Sequence, residues 1–321
     1  MTKRIPTKRD PVDGILLLDK PVGLSSNDAL VRARRLLEAR KAGHGGTLDP
    51  LAGGLLPLLF GEATKFALDS LDADKTYVAG LRLGVATDTG DAEGRVIDER
   101  DPARDEAAFA EAVAAFVGPI DQVPPMHSAL KRDGRPLYEL ARAGVVVERA
   151  PRRVTIHAID VLRFAPPHAE LRVRCSKGTY IRSLAIDLGE RLGCGAHLSA
   201  LRRERVGALD VRDAVPLEAL EALALPERRA RLLPADALLL GLPRVDLDAA
   251  LGARFRHGQK LRLETACTDA SPRRVRVYGA GNELLGVALQ QAGELQPQRL
   301  VAASTPAPIP APLRAGTGIE R

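Results

Sequence analysis

The chain has no tryptophan, and in 321 residues only four tyrosines, six phenylalanines and two methionines. A flat surface for a planar ligand such as a base therefore has few places to come from. Its three cysteines (Cys175, Cys194, Cys267) lie far apart without a C-x-x-C pair. That excludes the usual zinc and disulfide frameworks and fits a reducing cytoplasm. No apolar run reaches the length of about 18 residues that a membrane span needs. The opening stretch MTKRIPTKRDP is basic but has neither an apolar core nor a cleavage site, so it does not read as a secretory signal.

What is present describes a soluble globular protein with a real core: 45% of residues are hydrophobic and 27% charged. The length allows one large domain and a small one, or two of medium size. The formal net charge is +6, with the excess carried mostly by arginine. Arginine suits bidentate phosphate contacts and stacking on bases, so a polyanionic partner fits, but a GC-rich genome would give the same bias.

Along the chain, residues 1–11 read as a flexible basic arm. GILLLDKP (14–21) reads as a short buried strand and SSNDALVRARRLLEAR as a capped amphipathic helix. A glycine-rich loop follows, then a strand LLPLLFG, a helix EATKFALDSL and a strand KTYVAGLRLG. RDEAAFAEAVAAFVG reads as a helix, and PLYELARAG as a short one closed by Gly144. VTIHAIDVLRF and AELRVRCSKG read as strands, and TYIRSLAIDLGERLG as a helix capped by Gly193. This mixture lacks a regular βαβ rhythm. It predicts an α+β fold with a mixed, mostly antiparallel sheet flanked by helices over 12–240. Short strands within DLDAALGARFRHGQKLRL, RRVRVYG and LLGVALQ predict a small β-rich domain over 241–301, and the Pro/Ala-rich residues 302–321 read as a disordered tail.

Four segments carry candidate chemistry. In GHGGTLDPLAGGLLPLLFGEATKF (43–66), Asp49 has a bland reading as an Asp-Pro turn starter. Yet glycines on both sides allow close approach to a ligand, and a carboxylate on a loop held between apolar elements is a usual catalytic placement. In KTYVAGLRLGVATDTGDAEG, Tyr77 stands at a strand start, where its ring either packs or faces a cavity. Tyr180 and Arg182 lie two apart at a strand-to-helix junction, from which both can reach one pocket; an arginine beside a buried carboxylate would keep it ionised and lower its pKa. The basic run LRRER (201–205) is a solvated face unless it borders the same pocket. QVPPMHSALKRDGRPLYELARAG combines Pro-Pro rigidity with Lys131, Arg132, Arg135 and Arg142, as a loop lying along a phosphate backbone would.

In order and spacing these segments resemble the bacterial tRNA pseudouridine synthase B (TruB) family over about residues 13–210. The strings G-H-x-G-T-L-D-P-L-A-x-G-L-L-P, G-T-Y-I-R and G-A-H-L-x-x-L-R-R carry the likeness. The resemblance implies a pseudouridine synthase core with a small PUA-like RNA-binding domain, and isomerisation of uridine 55 in the tRNA T-arm by base flipping, without a cofactor or metal. It implies Asp49 as nucleophile, paired with Arg182, and His44, Tyr77, Tyr180 and Leu201 around the flipped nucleotide. Lys65, in G-E-A-T-K, would support the site. The implied enzyme is cytoplasmic, monomeric, and free of membrane and obligate protein partners. Three departures stand out. Gly45 and Gly53 replace a frequent threonine, which should loosen the loop, and His127 replaces a tyrosine in PPMYSALK.

Extruding a base costs a few kcal/mol and aromatic stacking returns about 1–3 kcal/mol. Tyr77 under the uracil and His44 in the vacated gap would roughly offset it. Asp49 would act at C1′ directly or by stabilising an oxocarbenium-like centre; a glycal route, with Tyr77 as a reluctant base of pKa about 10, stays open. Two rival readings are a tRNA-folding chaperone, disfavoured by the intact Asp49, Tyr77 and Arg182 set, and a base-removing glycosidase, which lacks a second acid.

Overall fold

A computed structural model of the chain describes residues 10–263 and 271–302, apart from 127, 129, 133, 143 and 146. His127, residues 1–9 and 303–321 therefore lie outside the described residues, and so do most of the arm and tail read from the sequence. Asp10 is already fixed by pairing with Ala39. Two compact units are present: residues up to 223 with 233–238, and 224–232 with 239 onward. The division falls close to the 240/241 boundary read from the sequence, except that 224–232 pack with the second unit.

The first unit opens with β1 (Gly14–Lys20), nearly all of it buried. Next is α1 (Ser26–Leu36), where the Ser25 hydroxyl caps the helix by accepting from the Asp28 amide. β2 (Ala42–His44) and β3 (Ala52–Phe60) flank the glycine-rich loop, and all nine residues of β3 are buried. The EATKFALDSL helix begins as a 3-10 turn, Gly61–Phe66, before α2 (Ala67–Asp72). β4 (Lys75–Leu83), the hairpin β5 (Val85–Thr87)–β6 (Val96–Glu99), α3 (Glu106–Ala114) and β7 (Gly118–Gln122) follow. The small pair β8 (Lys131–Arg132) and β9 (Arg135–Pro136) precedes α4 (Leu137–Arg142). β10 (Arg152–Ala165) and β11 (His168–Cys175) form a long hairpin, joined by a short loop to α5 (Ile181–Arg191). Then come β12 (Ala196–Val206), β13 (Leu209–Asp210), β14 (Val215–Pro216) and α6 (Leu217–Ala222).

These strands make a ten-stranded sheet ordered β14-β1-β3-β12-β4-β11-β10-β7, with β2 paired to β3 and β13 to β12. Only β1–β14 and β3–β12 run parallel, so the mixed, mostly antiparallel α+β reading holds. β12 went unread from the sequence because AHLSALRRERV interrupts apolar alternation with four charges. It nevertheless joins β3 to β4 at the centre of the sheet. The main core lies where β4, β11 and β12 pack on α5 and α3, around Leu81, Leu171, Val173, Leu184, Leu188 and Phe109. Each such side chain contributes about 1.5–3 kcal/mol on burial.

The second unit contains α7 (Leu225–Arg229), β15 (Arg244–Asp246), α8 (Ala249–Arg256), β16 (Leu261–Arg262), β17 (Arg273–Tyr278), β18 (Leu284–Gln291) and β19 (Glu294–Leu300). Its five strands are ordered β15-β17-β18-β19-β16 around Phe255, Leu261, Val275, Val277 and Leu285. The sequence reading made 246–263 strand only; α8 corrects it. Asp248 caps that helix by accepting from the Leu251 amide, and the AALGARFR run that follows supplies good helix formers.

One glycine sets the spacing at the centre of the sheet. Gly54 has φ +97°, and a Cβ there would lie 2.3 Å from the Arg203 carbonyl oxygen and 2.8 Å from its nitrogen. Gly54→Ala is expected to destabilise the protein by more than about 1 kcal/mol. Gly43→Ala, whose Cβ would meet nothing within 4 Å, should stay within about 0.5 kcal/mol. Urea unfolding of both variants tests this; equal stabilities would contradict it.

Candidate active site

The loop that carries Asp49 is tied at almost every residue. His44 ends β2 opposite Leu58, and the Gly45 amide donates to the Pro57 carbonyl at 2.8 Å. The buried Ser70 hydroxyl donates to the Gly45 carbonyl at 2.8 Å. Arg203 donates to the carbonyls of Gly46 (3.2 Å), Thr47 (3.5 Å) and Leu55 (2.8 Å). Ser26 brackets Leu48, accepting from its amide at 2.7 Å and donating to its carbonyl at 3.0 Å. The Pro50 carbonyl accepts from Gly23, and the Asp49 carbonyl from Ala52.

The expected loosening at Gly45 is therefore overturned. A Cβ at Gly45 would sit 2.1 Å from Ser70 Oγ, so Ser70 already fills the room a side chain would take. Gly53 is closely packed too, with the Lys20 carbonyl 3.2 Å and Val22 Cγ2 3.5 Å from its notional Cβ.

Asp49 faces Arg182, the second residue of α5, with Arg182 Nη2 2.9 Å from Asp49 Oδ2. The guanidinium is buried, at 6% side-chain exposure, while Asp49 keeps 41%. The helix start is itself fixed: the Tyr180 amide donates to Gln122 Oε1 at 3.0 Å, and Gln122 Nε2 donates to the Tyr180 carbonyl at 3.2 Å. A second acid, Asp91, lies on the other side of the same guanidinium, 3.4 Å from Nη1. Asp91 is held in turn by the Thr89 hydroxyl (2.7 Å) and the Glu93 amide (3.1 Å).

The balance of these charges reverses one expectation. Burial pushes the Asp49 carboxyl above the usual carboxylate range, and the like charge of Asp91 adds to the rise; Arg182 and Lys20 only pull part of it back. Lys20 ends β1, fully buried, and donates to the carbonyls of Pro21 (2.9 Å) and Leu24 (2.6 Å). Burial lowers its pKa to about 8 against the opposing pull of Asp49.

Tyr77 is partly buried on β4 and packs, with Leu51 and Leu201, against the main core. Its phenol interacts with the guanidinium of Arg203, its register partner on β12. Burial pushes the phenol up, which makes Tyr77 a neutral side chain rather than a base. Leu201 lies between Ala52 of β3 and Ala79 of β4. His44 Nδ1 is buried without a hydrogen-bond partner among the described residues. Burial, then the Arg203 charge, lowers the His44 pKa, so the ring is neutral. Lys65 does not join the site. It pairs with Glu62 at 2.6 Å beyond the far end of β3; a nine-residue strand separates it from Asp49 by about 30 Å of chain direction. Lys20 is the lysine whose charge reaches Asp49.

Sequence reasoning missed Lys20, Asp91 and Arg203. The only available signals were a lysine closing an all-apolar strand, an acid within TDTGDAEG, and arginines inside LRRER. That last run divides between faces. Arg203 is 1% exposed, whereas Arg202 pairs with Asp19 (3.1 and 2.7 Å) and Glu204 with Arg172 (2.9 Å). No group of three or more His, Cys, Asp or Glu side chains disposed to hold a metal occurs among the described residues, and no helix there is long and apolar enough to cross a membrane.

Because Ser70 occupies the space beside Gly45, Gly45→Ala is expected to lose more than about 1 kcal/mol of stability. Adding Ser70→Gly should recover part of it, with a coupling of about 1 kcal/mol in a double-mutant cycle. Additive losses in urea unfolding would show that the two positions do not compete for space.

Comparisons with known proteins agree along the whole of this architecture. Residues 34–181 match the N-terminal domain of TruB family pseudouridylate synthase. Residues 182–240 match the tRNA pseudouridylate synthase B C-terminal domain, and 243–301 the C-terminal domain of pseudouridine synthase II TruB. The tRNA pseudouridine synthase B of Burkholderia mallei (strain NCTC 10247) is 63% identical over 296 residues, covering 91% of this chain and 98% of that one. That of Ralstonia nicotianae (strain ATCC BAA-1114 / GMI1000) is 60% identical over 314 residues, covering 94% and 99%. Among solved structures, one from a Cbf5-Nop10-Gar1 complex superposes with a TM-score of 0.70 at 26% identity, covering 89% of this chain and 84% of that chain. With three domain matches in order and an identity above 60% to relatives of nearly the same length, the chain belongs to the TruB family of pseudouridine synthases.

Proposed function

We propose that this protein isomerises uridine 55 in the T-arm of tRNA to pseudouridine, with Asp49 acting at the sugar C1′. The observation that carries the reading is the pairing of a partly open carboxylate with a buried guanidinium at 2.9 Å. The names and extent of the relatives support it independently. In this reaction the N1–C1′ bond breaks, the uracil turns, and a C5–C1′ bond forms. C5 loses its proton and N1 gains one, so no oxidant, reductant or cofactor is consumed. The substrate is tRNA in the cytoplasm, and the enzyme works as a monomer without an obligate protein partner.

Each residue has a part in this reading. The target base must leave its stack, which costs a few kcal/mol. Tyr77 offers a ring for the extruded uracil, worth about 1–3 kcal/mol, and His44, uncharged and next to the loop, fills the gap left in the RNA. Tyr180 and Leu201 border the nucleotide, with Leu201 presenting backbone to the uracil edge. Arg182 keeps Asp49 available as the anion although burial opposes it.

Asp49→Asn is expected to bind a T-arm stem-loop normally and to lower tritium release from C5-labelled uridine by more than about a thousandfold. Near-normal release would remove Asp49 from this role, and binding without release by the wild-type protein would make it a chaperone. Ionised Asp49 is the active form, so the rate should fall as pH drops through a carboxylate pKa above the ordinary 3.8. Asp91→Asn removes a like charge and should move that acid limb to lower pH. A limb that stays in place in pH–rate profiles would show that Asp91 does not act on Asp49.

A further inference from the structure

Arg203 is left over by the chemistry above, although it is the largest fully buried side chain among the described residues. No carboxylate pairs with it there. Its hydrogen bonds go to three backbone carbonyls, and its register partner across the sheet is Tyr77. The charged and titratable groups that face it are Lys20 on β1, His44 on β2, and Lys75 and Tyr77 on β4. Three of these four are bases, and Arg203 lowers the pKa of each. A cation in such company is not there to neutralise an acid.

Its geometry shows what it does hold. In the register of the sheet Arg203 stands opposite Gly54 on one side and Tyr77 on the other. Gly54 has no Cβ, which lets β3 come this close. From there Nε reaches the Leu55 carbonyl, while Nη1 and Nη2 reach Thr47 and Gly46 in the loop between His44 and Asp49. A guanidinium directs its donors in a fixed planar fork, so one side chain can fix several acceptors at once; an ammonium cannot copy that span.

We propose that Arg203 is a positioning residue for pseudouridine formation, setting the distance between the Tyr77 ring and the loop that carries Asp49 by bonding to the loop from its place opposite Tyr77 in the sheet. The inference rests on the roles given above to Tyr77 and Asp49. It predicts that the guanidinium affects turnover and not RNA affinity.

The test is Arg203→Lys in the full chain, compared with wild type and Asp49→Asn on a T-arm stem-loop. Filter binding should give a Kd within about threefold of wild type, while single-turnover pseudouridine formation at pH 7 falls at least tenfold. The deficit should also widen between pH 7 and pH 9. Lys20 and Lys75, both buried in the same place, titrate at about 8. A lysine at 203 meets the same burial and sheds its proton as pH rises, whereas the more basic guanidinium, although burial lowers it too, holds its proton more strongly. A merely structural lesion would leave the ratio of rates flat with pH. A rate within twofold of wild type, a flat ratio, or an affinity loss that matches the rate loss overturns the proposal.

Should Arg203→Lys fail to unfold cooperatively, Tyr77→Phe cuts the same link from its other end and keeps the ring. It should turn over at least tenfold more slowly at unchanged affinity, and a rate within twofold of wild type would overturn the proposal. Turnover by Asp49→Asn would instead dismiss the underlying reading. An inactive Asp49→Asn beside a fully active Arg203→Lys would dismiss only this inference.

Discussion

Two carboxylates share one buried guanidinium, and the chemistry of the site depends on that sharing. At contact distance and an effective dielectric of about 20, each ion pair is worth about 4 kcal/mol of attraction. Asp49 meets one nitrogen of the Arg182 guanidinium, and the other terminal nitrogen gives the fork a second edge. Asp91 occupies that edge and keeps the fork aimed. The same negative charge also works against ionisation of Asp49, and with burial it leaves the carboxyl above its ordinary range. The arrangement gives up some ease of ionisation for a fixed direction. Asp49 stays partly open to a substrate while its partner stays still.

The loop carrying Asp49 shows how glycine can serve order. A run with so many glycines reads from composition as slack, because glycine has the most backbone freedom to lose. In the structure the absence of Cβ atoms is used for close approach. Ser70 fills the space beside Gly45, and β12 lies against Gly54. Ser26, Ser70 and Arg203 then bond to the carbonyls that close approach exposes. A carboxylate held this way would, in the role proposed for Asp49, meet the sugar in one position, which favours catalysis by orientation.

Much of this was legible in the sequence. The capped α1, the apolar β3, the β10–β11 pair and α5 announce themselves by periodicity and punctuation. Asp49, Tyr77 and Arg182 stand out once their motifs are taken together. Legibility failed where tertiary context decides. β12 carries four charged residues in eleven, and only its place between β3 and β4 makes it a central strand. α8 was lost among short strand-like runs in the second unit. The family resemblance puts Lys65 in support of the site through G-E-A-T-K, but β3 carries the chain away from Asp49 before reaching it. Lys20, distant in sequence, comes back to the site through the β1–β3 pairing, in which it stands opposite Gly54.

The cations around Asp49 have a further consequence for substrate binding. The charged groups that act on Asp49 are Arg182 and Lys20, which favour its anion, and Asp91, which opposes it. On the reading proposed above, RNA entering the site would remove water from Asp49 and bring phosphates near it. Both effects favour the protonated acid, on top of a pKa already raised in the free protein. Without these two cations, binding the substrate would itself tend to protonate the group proposed to act on it. Arg182 contributes its charge at contact distance, whereas Lys20, lowered by burial to about 8, contributes one that varies with pH. The two buried arginines therefore divide the work: the Arg203 fork holds the loop from its place opposite Tyr77, and the Arg182 charge opposes the proton that substrate binding would otherwise draw to Asp49.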